Sequence, residues 1–182
     1  DAKPIYYLGN LLYDKQPGRA IEYWEKAVQF EPSMSIAWRN LGWGYNQHEN
    51  DIQKSITAYE KAFSLKKDEP VYYAELDVLY ETNNTPLATR AKLFESANDI
   101  VKQRDDAFVR QILVLNLTGQ VEKSVEYLEN SNFHFREGSS RISDMTVDAR
   151  LLLGSKLMKE GKYQQALEQF LAAMKREAED ER

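Results

Sequence analysis

At 182 residues, with 42% hydrophobic and 29% charged side chains, the sequence has the composition of a folded chain rather than a disordered one. A net charge of −5 without any basic run argues against nucleic acid as a partner. No apolar stretch approaches the roughly 18 residues of a membrane span, no signal peptide is visible, and the absence of Cys excludes disulfides and thiolate metal sites. The chain opens at Asp1 with no Met, as expected of a piece of a longer protein.

The first predicted helix carries Ile5-Leu8-Gly9-Leu12, at steps of three, one and three. Residues three and four apart share a helix face, so these four form one stripe with a gap in it. The second helix carries Ala20-Trp24-Ala27, a stripe of small, bulky, small. The third helix repeats the first pattern as Trp38-Leu41-Gly42-Tyr45, and the fourth repeats the second as Ser55-Tyr59-Ala62. The pairs continue as Tyr73-Leu76-Asp77-Tyr80 with Arg90-Phe94-Ala97, then Phe108-Gln111-Ile112-Leu115 with Ser124-Leu128-Ser131. Arg150-Leu153-Gly154-Leu157 with Ala166-Phe170-Ala173 completes five. The second stripes open at positions 20, 55, 90, 124 and 166, spacings of 35, 35, 34 and 42.

Gly42 costs about 1 kcal/mol relative to Ala inside a helix, and the gain that offsets it is room for a neighbouring helix. Trp38 is expected to fill that slot. Asp77 and Ile112 replace the glycine, and Arg90 replaces the small residue opening its stripe, so the middle of the array is expected to be least regular. Thr85-Pro86 reads as an N-cap followed by a proline at the first helical position. Asp105-Asp106 reads as a helix start, and Asn83-Asn84 and Thr118-Gly119 as turns. The last spacing leaves an irregular insert, 132–146, containing Phe133, His134, Phe135 and Arg136. Those four are expected either to tuck onto the helices or to form an accessory binding loop. Leu171 and Met174 are placed where a following helix would pack, so the chain is expected to continue or to associate with itself through its last helix.

Five paired stripes at this period resemble the tetratricopeptide repeat, a helix–turn–helix unit of about 34 residues. The resemblance covers nearly the whole chain, as repeats 2–33, 34–68, 69–103, 104–131 and 147–179 of a single domain. It implies an all-α, right-handed superhelical solenoid whose first helices line a concave groove that binds peptides or extended partner segments. Carried over residue by residue, the groove-facing positions that matter most are Tyr6, Asn10, Tyr13, Arg39, Asn40, Trp43 and Asn46. These join aromatic surface and Arg, the types that dominate binding hot spots, to amides that can bond a backbone. In the family's chaperone co-factors a clamp of Lys, Arg and Asn grips a terminal carboxylate. Asn10 and Asn40 match it, but Tyr6, Val71 and Glu75 stand where its cations would be, and a Glu repels a carboxylate. That function is rejected.

At the level of phrase, YYLGNLLYDKQ, AIEYWEKA and RNLGWGY resemble the repeat region of large bacterial proteins in which it follows β-rich, carbohydrate-active-like regions. That resemblance implies an alternative, a carbohydrate-binding or assembly segment in which Tyr6, Tyr13 and Trp43 stack on sugar rings. Catalysis has no motif behind it: there is no HExxH, GxSxG or phosphate-cradling glycine loop. His48 and His134 read as solvated, and Glu49/Asp51 and Asp105/Asp106 as turn and capping residues. The sequence therefore reads as a non-catalytic scaffold with no cofactor and no metal, binding a protein, a peptide or other domains of its own chain.

Overall fold

The computed structural model describes residues 1–130 and 140–180, and the described residues are helical throughout, without strands. The chain divides into two compact units, Asp1–Thr85 and Pro86–Arg182. The boundary falls at the turn inside the third repeat.

In the first unit, α1 (Lys3–Leu12) pairs with α2 (Pro17–Phe30), and α3 (Ser35–Gly44) with α4 (Ile52–Leu65). Helix α5 (Pro70–Thr82) packs on α4, as α3 packs on α2. Pro17 and Pro70 sit at the first position of their helices, where the missing N–H has no intrahelical partner to lose. A Cβ on Gly9 would come within 2.5 Å of the Trp24 indole. One on Gly42 would overlap the Tyr59 ring. The glycine of each first helix is thus the socket for the central aromatic of its own partner helix.

Trp38 does not fill that slot. It is half-buried at the edge of the core, and its indole N–H donates to the Pro32 carbonyl at 2.9 Å. One repeat on, the Tyr73 hydroxyl does the same to the Lys67 carbonyl at 2.8 Å. Helical side chains lean toward the N-terminus, so Trp38, a turn before Gly42, reaches back over the inter-repeat loop and ties it down.

The turns between the first and second helices of repeats two to five share one device. Asn50 (φ 54°), Asn84 (φ 53°), Gly119 (φ 74°) and Gly161 (φ 75°) are left-handed, the usual way to stop a helix. The next N–H then returns to the last stripe residue, as in Thr85 to the Tyr80 carbonyl at 2.8 Å and Gln120 to the Leu115 carbonyl at 2.9 Å. In the second repeat a π-helical turn, Tyr45–Glu49, accommodates one extra residue before Asn50. Asp51 then caps α4, accepting from the Lys54 N–H at 3.0 Å, so its carboxylate has the capping role expected.

Six tyrosines of this unit, 13, 45, 59, 72, 73 and 80, have their phenols held above the ordinary value of 10.0, burial being the largest cause in each. The folded state therefore retains protons that the unfolded chain releases near pH 10. The stability this contributes is intact below that pH and lost as pH rises through the folded values. Melts followed by circular dichroism should be flat from about pH 7 to 9 and fall steeply above about pH 10; an unchanged melting temperature at about pH 11 would contradict this burial.

In the second unit, α8 (Asp105–Leu117) pairs with α9 (Val121–Glu129), and α10 (Ser140–Lys159) with α11 (Tyr163–Asp180). Asp105 and Asp106 open α8 as expected. Gly154 takes the Phe170 ring, with an added Cβ 2.5 Å from it. Where Ile112 replaces glycine it is fully buried, and the partner helix carries Leu128 instead of an aromatic. Bulk has moved from one helix to the other, which conserves core volume.

Three sequence expectations need correction. The second helix of repeat three is broken into α6 (Leu87–Leu93) and α7 (Asn98–Val101), with Ser96 at φ 57° between them. Arg90 is buried there, at 6% exposure, where the other repeats have a small residue or serine. The array is indeed least regular at its middle. Pro86 is itself the N-cap of α6, so Thr85 lies outside the helix and makes no cap. Helix α10 starts at Ser140, taking in the last seven positions of the segment 132–146 expected to be irregular. Nothing in SRISDMT breaks a helix, and Ser143 is already buried. Phe133, His134, Phe135 and Arg136 lie outside the described residues.

Candidate functional site

All seven groove residues singled out in the sequence belong to the first unit, on α1, α3 and the turns that follow them. The structure sorts them into three groups.

Tyr6, Asn10 and Asn40 form a polar chain. The Asn40 amide donates to Asn10 Oδ1 at 2.9 Å and to the Tyr6 hydroxyl at 3.3 Å. Asn10 Oδ1 also accepts from Trp24 Nε1 at 2.9 Å. An indole N–H can only donate, so Trp24 fixes which way the Asn10 amide points. Asn10 Oδ1 thus accepts from two donors, Trp24 and Asn40, and the Asn40 amide nitrogen is engaged by both Asn10 and Tyr6.

Tyr13, Trp24 and Trp43 form an aromatic layer. The Tyr13 ring stacks on Trp24 at 5.4 Å and meets Trp43 at 4.3 Å, inclined by 44°. Trp24 is 2% exposed, whereas Trp43 is 42% exposed. Trp43 stands outside the core because Leu41, Gly42 and Gly44 of the same helix face inward, Gly44 lying against Ile21 and Trp24.

Arg39 is engaged by Glu75 through two parallel bonds, Nε to Oε2 at 2.7 Å and Nη2 to Oε1 at 2.5 Å. This bond raises the Arg39 pKa further, and Tyr59, held high by burial and then by Glu75, lies against the same carboxylate. The cation expected to meet a partner is therefore neutralised within the protein. Asn46, half-buried on the π-helical turn, takes no part in these hydrogen bonds.

Two residues that organise the site were not singled out. Trp24 was legible only as the centre of a packing stripe, yet a buried indole needs a partner for its N–H, and Asn10 is the amide within reach. Glu75 was read only as an obstacle to a carboxylate clamp. Its signal was an opposite charge 36 residues after Arg39, on the next first helix.

Among the described residues no cluster of His, Asp and Glu could hold a metal ion, and no helix is long and apolar enough to cross a membrane. Neither a protein-family model nor a curated protein sequence matches the chain. Solved structures do. YrrB, described as a TPR protein with an unusual peptide-binding site, superposes with a TM-score of 0.65 at 17% identity, over 97% of this chain and 86% of that one. The fold is that of the tetratricopeptide-repeat proteins. A MamA fragment from Desulfovibrio magneticus RS-1 matches at 15% identity, over 98% and 96% of the two chains, with a TM-score of 0.56. The type IV pilus biogenesis factor PilW matches at 16% identity, over 96% and 78%, with a TM-score of 0.53.

Proposed function

We propose that the chain is a non-catalytic protein-interaction scaffold, and that the Tyr6–Asn10–Asn40 chain with Tyr13 and Trp43 binds an extended peptide segment. The observation that carries this is the fixed polarity of the amides. With Asn10 Oδ1 and the Asn40 amide nitrogen engaged within the protein, the Asn10 NH₂ and the Asn40 Oδ1 are the groups left to meet a backbone C=O and N–H. Beside them the half-exposed face of Trp43, backed by Tyr13, offers apolar area with little rotamer entropy to lose. Because Glu75 holds Arg39, the ligand is uncharged at this point. The peptide-binding description of YrrB supports the same class of ligand.

The test is a binding isotherm and a thermal melt on the same variants, after a peptide-library screen has supplied a ligand. Trp43→Ala should weaken binding by about 1–2 kcal/mol, in hot-spot range, with the melt nearly unchanged. Trp24→Phe should keep the ring packing while releasing the Asn10 amide, weakening binding through lost preorganisation. If Trp43→Ala unfolds the chain, Trp43 is core and the site loses its anchor. The second reading, a glycan ligand, is favoured by the exposure of Trp43 beside amide donors. A glycan array probed with the same variants separates the two: Trp43-dependent capture on glycans with none on peptides selects the sugar.

A further inference from the structure

Both repeat junctions of the first unit are built alike. On α2 and α4, Ile21 and Ile56 face the following first helix, and Ile21 lies against Gly44. On the receiving side Leu41 and Leu76 are each 1% exposed. A hydrogen bond closes each junction: Tyr45 donates to Glu25 at 2.9 Å and Tyr80 to Glu60 at 2.7 Å.

Helices α11 and α1 carry the two halves of such a junction, and both faces are exposed among the described residues. Counted from Ala166-Phe170-Ala173, Leu167 and Met174 take the register of Ile21 and Val28, and Leu171 that of Glu25. They are 50%, 64% and 55% exposed, whereas Ile21 and Val28 are 3% and 6%. On α1, Leu8 and Leu11 take the register of Leu41 and Gly44 and are 40% and 81% exposed. Leu12 takes that of Tyr45.

The polar pair of the first unit's junctions is absent from both faces: Leu171 stands at the glutamate register and Leu12 at the tyrosine register, as Leu115 and Leu157 do in later repeats. Where a glutamate is kept without its tyrosine, as at Glu129, it takes Arg150 instead, at 2.8 Å. Helix α1 has Ile5 at the Arg150 register, so a glutamate at 171 would meet no partner there. A leucine suits it. Both open faces are thus apolar at the position where the first unit's junctions carry a hydrogen-bonded pair.

We propose that α11 of one copy packs on α1 of a second copy, head to tail, reproducing the internal junction between chains. Such a contact is heterologous: each junction uses the α11 face of one copy and the α1 face of another.

Light scattering and sedimentation of the full 182-residue chain test this. The average mass should rise above 21.2 kDa with concentration, up to about 1 mM. Leu11→Glu blocks the α1 face and Leu171→Glu the α11 face, both at exposed positions, so the melts should not change. Each variant alone should stay monomeric. Their equimolar mixture should form one-to-one dimers, because each supplies the face the other lacks. A wild-type chain that stays at 21.2 kDa overturns the proposal in favour of another occupant, such as a further helix of a longer polypeptide. A mixture that stays monomeric, or association that survives Leu11→Glu but not Leu171→Glu, overturns it in favour of a symmetric contact through α11.

Discussion

Trp24→Ala is expected to cost about 3–5 kcal/mol, the range for large aromatic truncations in a core. Trp24 is 2% exposed, seats in the socket of Gly9, stacks on Tyr13 and touches Gly44 of the next repeat. Truncation would open a cavity lined by two repeats and leave Asn10 Oδ1 without its indole donor. Against total stabilities of roughly 5–15 kcal/mol, the loss should leave the first unit substantially unfolded at moderate temperature. Denaturant titration followed by near-ultraviolet circular dichroism measures it. A cost of about 1 kcal/mol or less would mean that Trp24 is not the wedge between repeats one and two.

Gly42→Leu is expected to be nearly as damaging, for the opposite reason. The added side chain meets the Tyr59 ring, and Tyr59 is 3% exposed with its hydroxyl against Glu75, so it has nowhere to retreat. Overpacking of this kind typically costs about 1–3 kcal/mol, occasionally more. With the Tyr59 ring unable to move aside, the cost should fall at the upper end of that range and exceed the gain of about 1 kcal/mol from replacing a helical glycine. Gly18→Ala is the matched control. Gly18 is also helical, but its added Cβ would meet nothing closer than His48 Nε2 at 3.6 Å, an ordinary contact. That change should be neutral or raise the melting temperature. If Gly42→Leu stabilised the chain, the socket would be empty and the close approach of α3 and α4 unexplained.

The repeat period and the two stripes were legible in the sequence because helix packing imposes them on every repeat alike. Which residue enters the gap beside Gly42 was not. A stripe shows which residues share a face, but Trp38 and Tyr59 are both aromatic, and only the partner helix decides between them. The small–aromatic–small stripe of Ser55-Tyr59-Ala62 was the better clue, since small flanks let the helix come close enough to insert its centre. Similarly, Tyr6, Asn10, Asn40, Tyr13 and Trp43 could be placed on one surface from their register. The direction of the Asn10 amide could not, because a hydrogen bond from the second helix sets it. The break at Ser96 was hidden for a different reason: no Gly or Pro accompanies it, and Arg90 is its one sequence-visible irregularity.

The proposed peptide would lie across the oriented amides and the Trp43 face. Side-chain amide and indole resonances of ¹⁵N-labelled protein report this directly during titration with a peptide found by library screening. The Asn10 NH₂ pair and the Trp43 indole should shift together and saturate with one dissociation constant, while Trp24 Nε1, already bonded, moves little. Saturating binding that leaves Asn10 and Trp43 unperturbed would contradict the account.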